Sequence, residues 1–119
     1  MSRNKTGYQR PEDMGKAKDL ISLASTEAQA FLALKKAAER PDGAIPEKYR
    51  ELISMAVALT TQCAYCIDTH SKNALSTGAT REELAEVVFI TAALRAGAAV
   101  AHGLLALRLF DEAGGANLD

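Results

Sequence analysis

The chain has 119 residues, of which 14 are basic and 15 acidic, so its formal net charge is −1. This balance leaves no basic excess to neutralise phosphates and argues against nucleic-acid binding. Because 48% of the residues are apolar but only 5% aromatic, the core must consist of small aliphatic side chains, which favours closely packed helices in a single domain of residues 1–119.

No targeting or membrane segment is expected from the sequence. The first nineteen residues are polar and lack the apolar stretch of a secretory signal. The longest stretch without charge, residues 52–67, is only sixteen residues long and contains two threonines and a glutamine, so it does not resemble a membrane span. We therefore expect a cytoplasmic protein without membrane contact. In that compartment a pair of cysteines is more often catalytic or metal-binding than a structural disulfide.

The N-terminal part of the chain is predicted to be an arm followed by helix. Residues 1–15 mix glycine and proline with charges and should order only where something holds them. Residues 16–40 have helical periodicity. Either one helix or two fit this region, because Thr26 and Gln29 have the spacing of a capping box. Pro41-Asp42-Gly43 should end it.

A second helix is predicted from Pro46, which suits a first helical position, to about Thr60. Its centre, residues 52–59, is apolar on nearly every side. Periodicity alone does not exclude a buried strand there, but the charged residues before it extend the run beyond a typical strand. A helix that is apolar all round has to be buried, either in the core or in a subunit interface.

The remaining sequence predicts further helices and no strand. One helix should begin near Cys63 and end at Gly78. Thr80 and Glu83 form a second capping box that opens the next helix. Gly97 is a candidate break before a last helix that reaches about Phe110, and residues 113–119 read as a tail. The fold class is therefore predicted to be all-α, with the Cys-x-x-Cys motif at the start of a helix in a helical hairpin.

The segment from Glu51 to His70 contains the residues of a thiol redox site. A thiol is nucleophilic as its thiolate, and a neighbouring base or cation lowers its pKa. Residues four apart share one face of a helix, which puts His70 within reach of Cys66. Cys63 lies one turn before Cys66, close enough for a disulfide if the two Cα atoms are about 4.4–6.8 Å apart. The segment thus combines a nucleophile, a second thiol and a base.

A hairpin around Thr61 would bring Glu51 and His70 to nearly the same level. At 1.5 Å per residue, Glu51 lies roughly 14 Å before Thr60, and His70 lies roughly 10 Å past Cys63. A carboxylate at that position orients an imidazole that acts as a base. Glu51 is therefore the predicted partner of His70, although a solvent-exposed role in the surrounding charge cluster is the alternative.

Cys66 is the predicted attacking thiol, with Cys63 as the resolving thiol. A helix N-terminus stabilises an anion at Cys63 by about 0.3–1 kcal/mol. An imidazolium 4 Å away stabilises an anion at Cys66 by up to about 4 kcal/mol at an effective dielectric near 20. Tyr65, between the two thiols, either donates a hydrogen bond to the site or forms its wall.

Two other interpretations of these residues are consistent with the sequence. The cysteines could be inert core thiols, since cysteine is among the most buried residue types. A zinc ion could be bound by Cys63, Cys66 and His70 with either Glu51 or His102 as the fourth ligand. Apart from that alternative, His102 is assigned no role, because a lone histidine in an apolar helix is more often a satisfied core residue.

The spacing of these residues resembles the motif of the alkylhydroperoxidase D family, within the carboxymuconolactone decarboxylase superfamily. The motif reads Glu, eleven residues, Cys-x-Tyr-Cys, three residues, His, and it is matched here by Glu51, Cys63, Tyr65, Cys66 and His70. The resemblance continues on both sides of the motif and covers roughly residues 26–110. The decarboxylase branch of the superfamily lacks the thiol pair, which argues against a lactone decarboxylase.

The resemblance implies a helical subunit that forms dimers, commonly as a trimer of dimers. It implies a relay in which Glu51 acts on His70, directly or through water, and His70 deprotonates Cys66. The thiolate would cleave a peroxide and become a sulfenic acid, which Cys63 would convert to a disulfide. A lipoyl-bearing or thioredoxin-like protein dithiol would then reduce that disulfide.

The sequence therefore predicts a thiol peroxidase for organic hydroperoxides or hydrogen peroxide that uses no metal or other cofactor. One alternative is a thiol–disulfide oxidoreductase that acts mainly on a partner protein. The other is a non-enzymatic, zinc-stabilised helical interaction domain.

Overall fold

Helices form all the regular structure of residues 7–115, the part of the chain that a computed structural model describes. A short 3-10 helix, Pro11–Lys16, precedes five α-helices. These are α1 (Ala17–Leu23), α2 (Ser25–Ala38), α3 (Glu47–Thr61), α4 (Ala64–Ser76) and α5 (Arg81–Phe110), followed by a π-helical turn, Asp111–Gly115. The predicted all-α class is confirmed.

The region after the arm contains two helices, but the predicted capping box does not separate them. The break is at Ala24, whose backbone leaves the helical region with φ −142° and ψ 60°. Ala24 is also the N-cap of α2, and no side chain caps that end. Because the Ala28 amide already donates to the Ala24 carbonyl at 2.9 Å, Thr26 lies inside the first turn and not at the cap.

Part of the predicted arm is held against α4. The Tyr65 hydroxyl donates to the Asp13 carboxylate at 2.6 Å, and the Arg10 amide donates to the same carboxylate at 3.1 Å. The first of these bonds joins the 3-10 helix to the Cys-x-x-Cys segment across 52 positions of sequence. Residues 1–6 of the arm and residues 116–119 of the tail lie outside the described residues.

The α3–α4 hairpin forms the centre of the fold. Helix α3 begins after Pro46 and ends at Gln62, which adopts the left-handed conformation with φ 57° and reverses the chain. Cys63 then caps α4. The buried apolar side chains come from this hairpin: Leu52, Met55 and Ala58 of α3 and Ala74 of α4. Both predicted helices are present, and Gly78, with φ 93°, follows the end of α4 as expected.

Helix α5 begins where it was predicted to begin. The Glu83 amide donates to Thr80 Oγ1 at 3.0 Å, and the Thr80 amide donates to Glu83 Oε1 at 2.9 Å, so the capping box is complete. The break predicted at Gly97 is wrong, because α5 runs through it without interruption. A glycine inside a helix costs only about 1 kcal/mol relative to alanine, and the alanines and leucines around Gly97 favour helix.

Much of α5 is not covered by any of the other residues between 7 and 115. Every residue from 92 to 110 is exposed, including Leu94, Val100 and Leu104 at 67–72%. The helix is also long and apolar enough to cross a membrane, with a mean hydropathy of 1.7 over its most apolar window. The longest stretch without charge, from which no membrane segment was predicted, lies in α3 and the start of α4 and not in α5. Length and composition alone do not distinguish a membrane span from a helix that other protein covers.

The Tyr65 contact predicts how firmly the N-terminal segment is held. Tyr65→Phe removes the hydroxyl that binds Asp13, so trypsin should cleave the basic sites of the 3-10 helix and α1 faster than in the wild type. Limited proteolysis followed by mass spectrometry measures this rate. Tyr49→Phe removes a hydroxyl from α3 instead and is the matched control. Equal cleavage in all three proteins would mean that the hydrogen bond does not hold the segment.

Candidate functional site

A buried carboxylate–imidazole pair joins α3 to α4. Glu51 Oε2 lies 2.6 Å from His70 Nδ1, and the two residues are only 8% and 9% exposed. An ionised carboxylate can only accept hydrogen bonds, so Nδ1 carries the proton in this pair. In the neutral ring Nε2 therefore has the free lone pair. The hairpin brings the two residues to one level, as the helix-rise arithmetic predicted.

The two thiols lie at the N-terminus of α4, directly after the chain reversal. Their sulfur atoms are 2.7 Å apart and share a hydrogen bond, and both cysteines are free and partly buried. The backbone N–H of Cys66 also donates to Cys63 Sγ at 3.3 Å. Cys63 therefore occupies the N-cap position that a serine or aspartate usually fills.

The surroundings of the two sulfurs shift their pKa values in opposite directions. The pKa of Cys63 is lowered, because its sulfur accepts hydrogen bonds from the Cys66 side chain and from the Cys66 backbone N–H. The pKa of Cys66 is raised, first because Cys66 keeps the proton shared with Cys63 and second because it is partly buried. The sequence predicts the larger anion stabilisation at Cys66. In the structure Cys63 receives it, because direct hydrogen bonds act there in addition to the helix dipole.

A cavity of about 260 Å³ gives access to Cys66 but not to Cys63. Its walls include Cys66 and His70 of α4 and the apolar side chains Ile53, Val57 and Ala58 of α3. Cys63 is not among the lining residues. A small molecule that enters this cavity therefore meets the Cys66 sulfur and the imidazole together, with mostly apolar surface around it.

The Tyr65 side chain contacts the 3-10 helix through its hydroxyl. Its hydroxyl hydrogen-bonds to Asp13, which raises the pKa of the phenol and lowers the pKa of the carboxyl. Tyr65 is not among the residues that line the cavity, and its role in the site stays a prediction. Two residues of the surroundings were not found from the sequence. They are Asp13, which accepts the hydrogen bond of Tyr65, and Lys35. The positive charge of Lys35 partly opposes the rise in the pKa of Cys66.

The ligand set of the zinc alternative is not assembled. Within residues 7–115, no group of three or more histidine, cysteine, aspartate or glutamate side chains is placed to hold a metal ion. The Nδ1 atom of His70 is already bonded to Glu51. His102 lies on the exposed part of α5, in a different helix from the thiols.

Comparisons with known proteins agree with one another. The pattern of the carboxymuconolactone decarboxylase family matches residues 26–109. An uncharacterised protein of the cox locus of Paracoccus denitrificans is 47% identical over 87 residues, which are 73% of this chain and 78% of that protein. An uncharacterised protein of Cupriavidus necator is 39% identical over 82 residues, 69% of this chain and 72% of that one.

A solved structure has the same fold. The crystal structure of a carboxymuconolactone decarboxylase family protein from Legionella pneumophila, in its apo form, superimposes with a TM-score of 0.65 and 32% sequence identity. The match covers 85% of this chain and 89% of the Legionella chain. Sequence and structure thus give the same answer, and the chain belongs to the carboxymuconolactone decarboxylase family.

Proposed function

We propose that this protein is a thiol peroxidase that reduces small organic hydroperoxides or hydrogen peroxide. The observation that carries the proposal is that Cys66 and His70 line one cavity, while Glu51 holds the far side of the imidazole and Cys63 lies 2.7 Å from Cys66. Nucleophile, base, orienting carboxylate and second thiol are thus present together. The apolar walls of the cavity suit the organic part of a hydroperoxide.

Cys66 is the attacking thiol in this proposal, because it alone of the two borders the cavity. A negative charge is better stabilised on Cys63, whose pKa is lowered, than on Cys66, whose pKa is raised, so Cys66 has to lose its proton before it attacks. It can pass the proton to Nε2 of His70, which lines the same cavity, or to Cys63 across their shared hydrogen bond when Cys63 carries the negative charge. The Cys66 thiolate then attacks one peroxide oxygen, the O–O bond breaks, and the alkoxide leaves as the alcohol after taking up a proton. Cys66 becomes a sulfenic acid.

The second thiol completes the chemistry. Cys63 attacks the sulfenic sulfur of Cys66, water leaves, and a Cys63–Cys66 disulfide forms. Their sulfur separation of 2.7 Å is already close to the roughly 2.05 Å of a disulfide bond. Two electrons have then passed from the thiols to the peroxide. A protein dithiol, lipoyl-bearing or thioredoxin-like, would return them by thiol–disulfide exchange.

Disulfide exchange with a partner protein is the second candidate function. The observation that favours it is the lowered pKa of Cys63 at the N-terminus of α4, where that sulfur is only partly buried. A low thiol pKa at a helix N-terminus is typical of Cys-x-x-Cys oxidoreductases. The two functions differ in which sulfur reacts first with the external molecule: Cys66 for a peroxide and Cys63 for a protein disulfide.

The roles of the thiols can be tested by counting them after addition of cumene hydroperoxide. The reduced wild-type protein should lose both thiols. Cys63→Ser should lose its one thiol and carry a sulfenic acid that dimedone traps. Cys66→Ser should keep its thiol. If Cys66→Ser reacts with the peroxide as fast as the wild type, Cys66 is not the attacking residue.

The orienting role of Glu51 can be tested with a neutral analogue. Glu51→Gln keeps the size of the side chain but removes its charge. Because catalysis by a positioned general base typically contributes about 10²–10⁴-fold, partial loss of that orientation should slow thiol oxidation by about tenfold or more. Glu47→Gln, on the exposed first turn of the same helix, is the control and should react like the wild type. The rate constants come from stopped-flow mixing with excess peroxide.

The opposite pKa shifts of the two thiols predict how alkylation of Cys63 depends on pH. Cys63 should be alkylated by iodoacetamide at a lower pH than an ordinary cysteine, because its pKa is lowered by the hydrogen bonds from Cys66. Cys66→Ala removes the side-chain donor, so the alkylation midpoint of Cys63 should move to higher pH. Cys66→Ser keeps a hydroxyl donor, and its midpoint should move less. Identical midpoints in both variants would contradict this origin of the shift.

A further inference from the structure

The hydrogen bond between Tyr65 and Asp13 connects the N-terminal segment to the residues that change in a thiol redox reaction. Tyr65 lies between the two cysteines, so its backbone is part of the ring that a disulfide between them would close. The Asp13 carboxylate belongs to the 3-10 helix and also accepts from the Arg10 amide. Residues 10–16, which we call the strap, are thus attached directly beside the thiols.

Little burial holds the strap in place. It packs against α4, the helix that carries Tyr65, but no residue of the 3-10 helix or of α1 is buried. Segments with few buried side chains open at a low cost in free energy. The hydrogen bond to Tyr65 is therefore a large part of what keeps the strap attached to α4.

In the dithiol form the first turn of α4 is held by the Cys63 sulfur. This sulfur is the N-cap and accepts the backbone N–H of Cys66 at 3.3 Å. The pKa of Cys63 is lowered first by the Cys66 side chain and further by the backbone N–H groups of Cys66 and Tyr65. The backbone of Tyr65 is thus bonded to the sulfur, while its side chain is bonded to the strap.

Oxidation changes this turn directly. Cys63 and Cys66 each give up one proton and one electron, and one S–S bond replaces two S–H bonds; a hydroperoxide is the oxidant in the proposed function. A disulfide sulfur accepts hydrogen bonds from backbone N–H groups more weakly than a thiolate does, so the cap is weakened. Because Tyr65 lies inside the closed ring, its position changes with the sulfurs. Hydrogen bonds weaken steeply when their geometry is disturbed.

The change in charge does not offset this effect. The pKa of Asp13 is lowered by its hydrogen bonds from Tyr65 and Arg10, and Cys63 is not among the groups that shift it. Asp13 is also the main cause of the raised pKa of Tyr65, ahead of Cys63. Loss of a negative charge at Cys63 therefore has little influence on the Tyr65–Asp13 bond, and the geometry of the turn decides.

We propose that the strap is redox-sensitive: Tyr65 holds it through Asp13 while the thiols are reduced and releases it when the Cys63–Cys66 disulfide forms. Release uncovers the start of α4 beside the disulfide, in the form of the protein that has to meet a protein dithiol. The reduced form, which has to meet a peroxide, keeps this face covered. In naming the peroxide and the dithiol the proposal rests on the proposed function.

The coupling has to act in both directions. If disulfide formation weakens the attachment of the strap, attachment must favour the dithiol over the disulfide by the same factor. The typical net contribution of one hydrogen bond corresponds to about fivefold. A protein without the Tyr65–Asp13 bond should therefore form its disulfide about fivefold more readily, a difference of about 20 mV for a two-electron couple.

The first experiment compares tryptic cleavage of the two redox forms. Diamide converts the dithiol to the disulfide without peroxide by taking up two electrons and two protons, and thiol counting confirms each form. Cleavage after Lys16 and Lys18 should be about fivefold faster in the disulfide form, because cleavage follows the population in which the strap is released. Cleavage after Lys72, in α4, is the internal control and should be equal in the two forms.

The second experiment uses variants to separate the hydrogen bond from the disulfide itself. Tyr65→Phe and Asp13→Ala each remove one partner, so both should be cleaved fast in either redox form. Their equilibrium with dithiothreitol should also shift toward the disulfide by about fivefold. Asp13→Ala does this without any change in the thiol segment. Tyr49→Phe removes a hydroxyl from α3 and should behave like the wild type in both measurements.

Three outcomes would overturn the proposal. The wild type could be cleaved equally in both redox forms, it could be cleaved more slowly as the disulfide, or the Tyr65→Phe and Asp13→Ala proteins could reach the same redox equilibrium as the wild type. Failure of the proposed function is a separate result. A wild type that does not react with peroxides would still form its disulfide with diamide, and a strap that stays attached would leave the peroxide reaction unchanged.

Discussion

The buried hydrogen bond between Glu51 and His70 is the constraint on which the site depends. A carboxylate out of water is unfavourable unless it is paired and hydrogen-bonded, and His70 is its partner at 2.6 Å. The pair therefore sets the register of α3 against α4. That register in turn brings Cys66 to the cavity at the base of the hairpin, four residues before His70. One polar contact thus links the packing of the hairpin to the direction in which the imidazole faces.

The start of α4 departs from the local preferences of a helix N-terminus. Serine, threonine, aspartate and asparagine are the best N-caps because an oxygen accepts the free amides of the first turn. Here a sulfur occupies the position, and the residue before it, Gln62, adopts a left-handed conformation that is unfavourable for side chains other than glycine. Local preference and the observed structure disagree at these two positions. Such disagreements are expected at functional sites, and here they place two sulfurs side by side at the positive end of a helix.

The features that could be predicted from the sequence were those set by short spacing. The Thr80–Glu83 capping box and the reach from Cys66 to His70 span three and four residues. The Glu51–His70 pair followed from helix rise once a hairpin was assumed. The contact between Asp13 and Tyr65 spans 52 residues, so no local sequence pattern could predict it. The lowered pKa of Cys63 and the raised pKa of Cys66 were not predicted either, because these shifts depend on which sulfur accepts the hydrogen bonds. At Gly97 a weak local signal was outweighed by the helix-forming residues around it.

The order in which the site residues occur along the chain has a consequence for synthesis. Glu51, Cys63, Cys66 and His70 lie within twenty consecutive positions on two adjacent helices. Contacts between neighbours in sequence form early in folding, so the hairpin can fold while α5 is still being translated. A nascent chain would then carry the two adjacent thiols and the Glu51–His70 pair before α5 has packed against α3. Oxidants could reach the sulfurs of such a chain at that stage, and the reducing capacity around the ribosome would decide whether the protein is released with its thiols free.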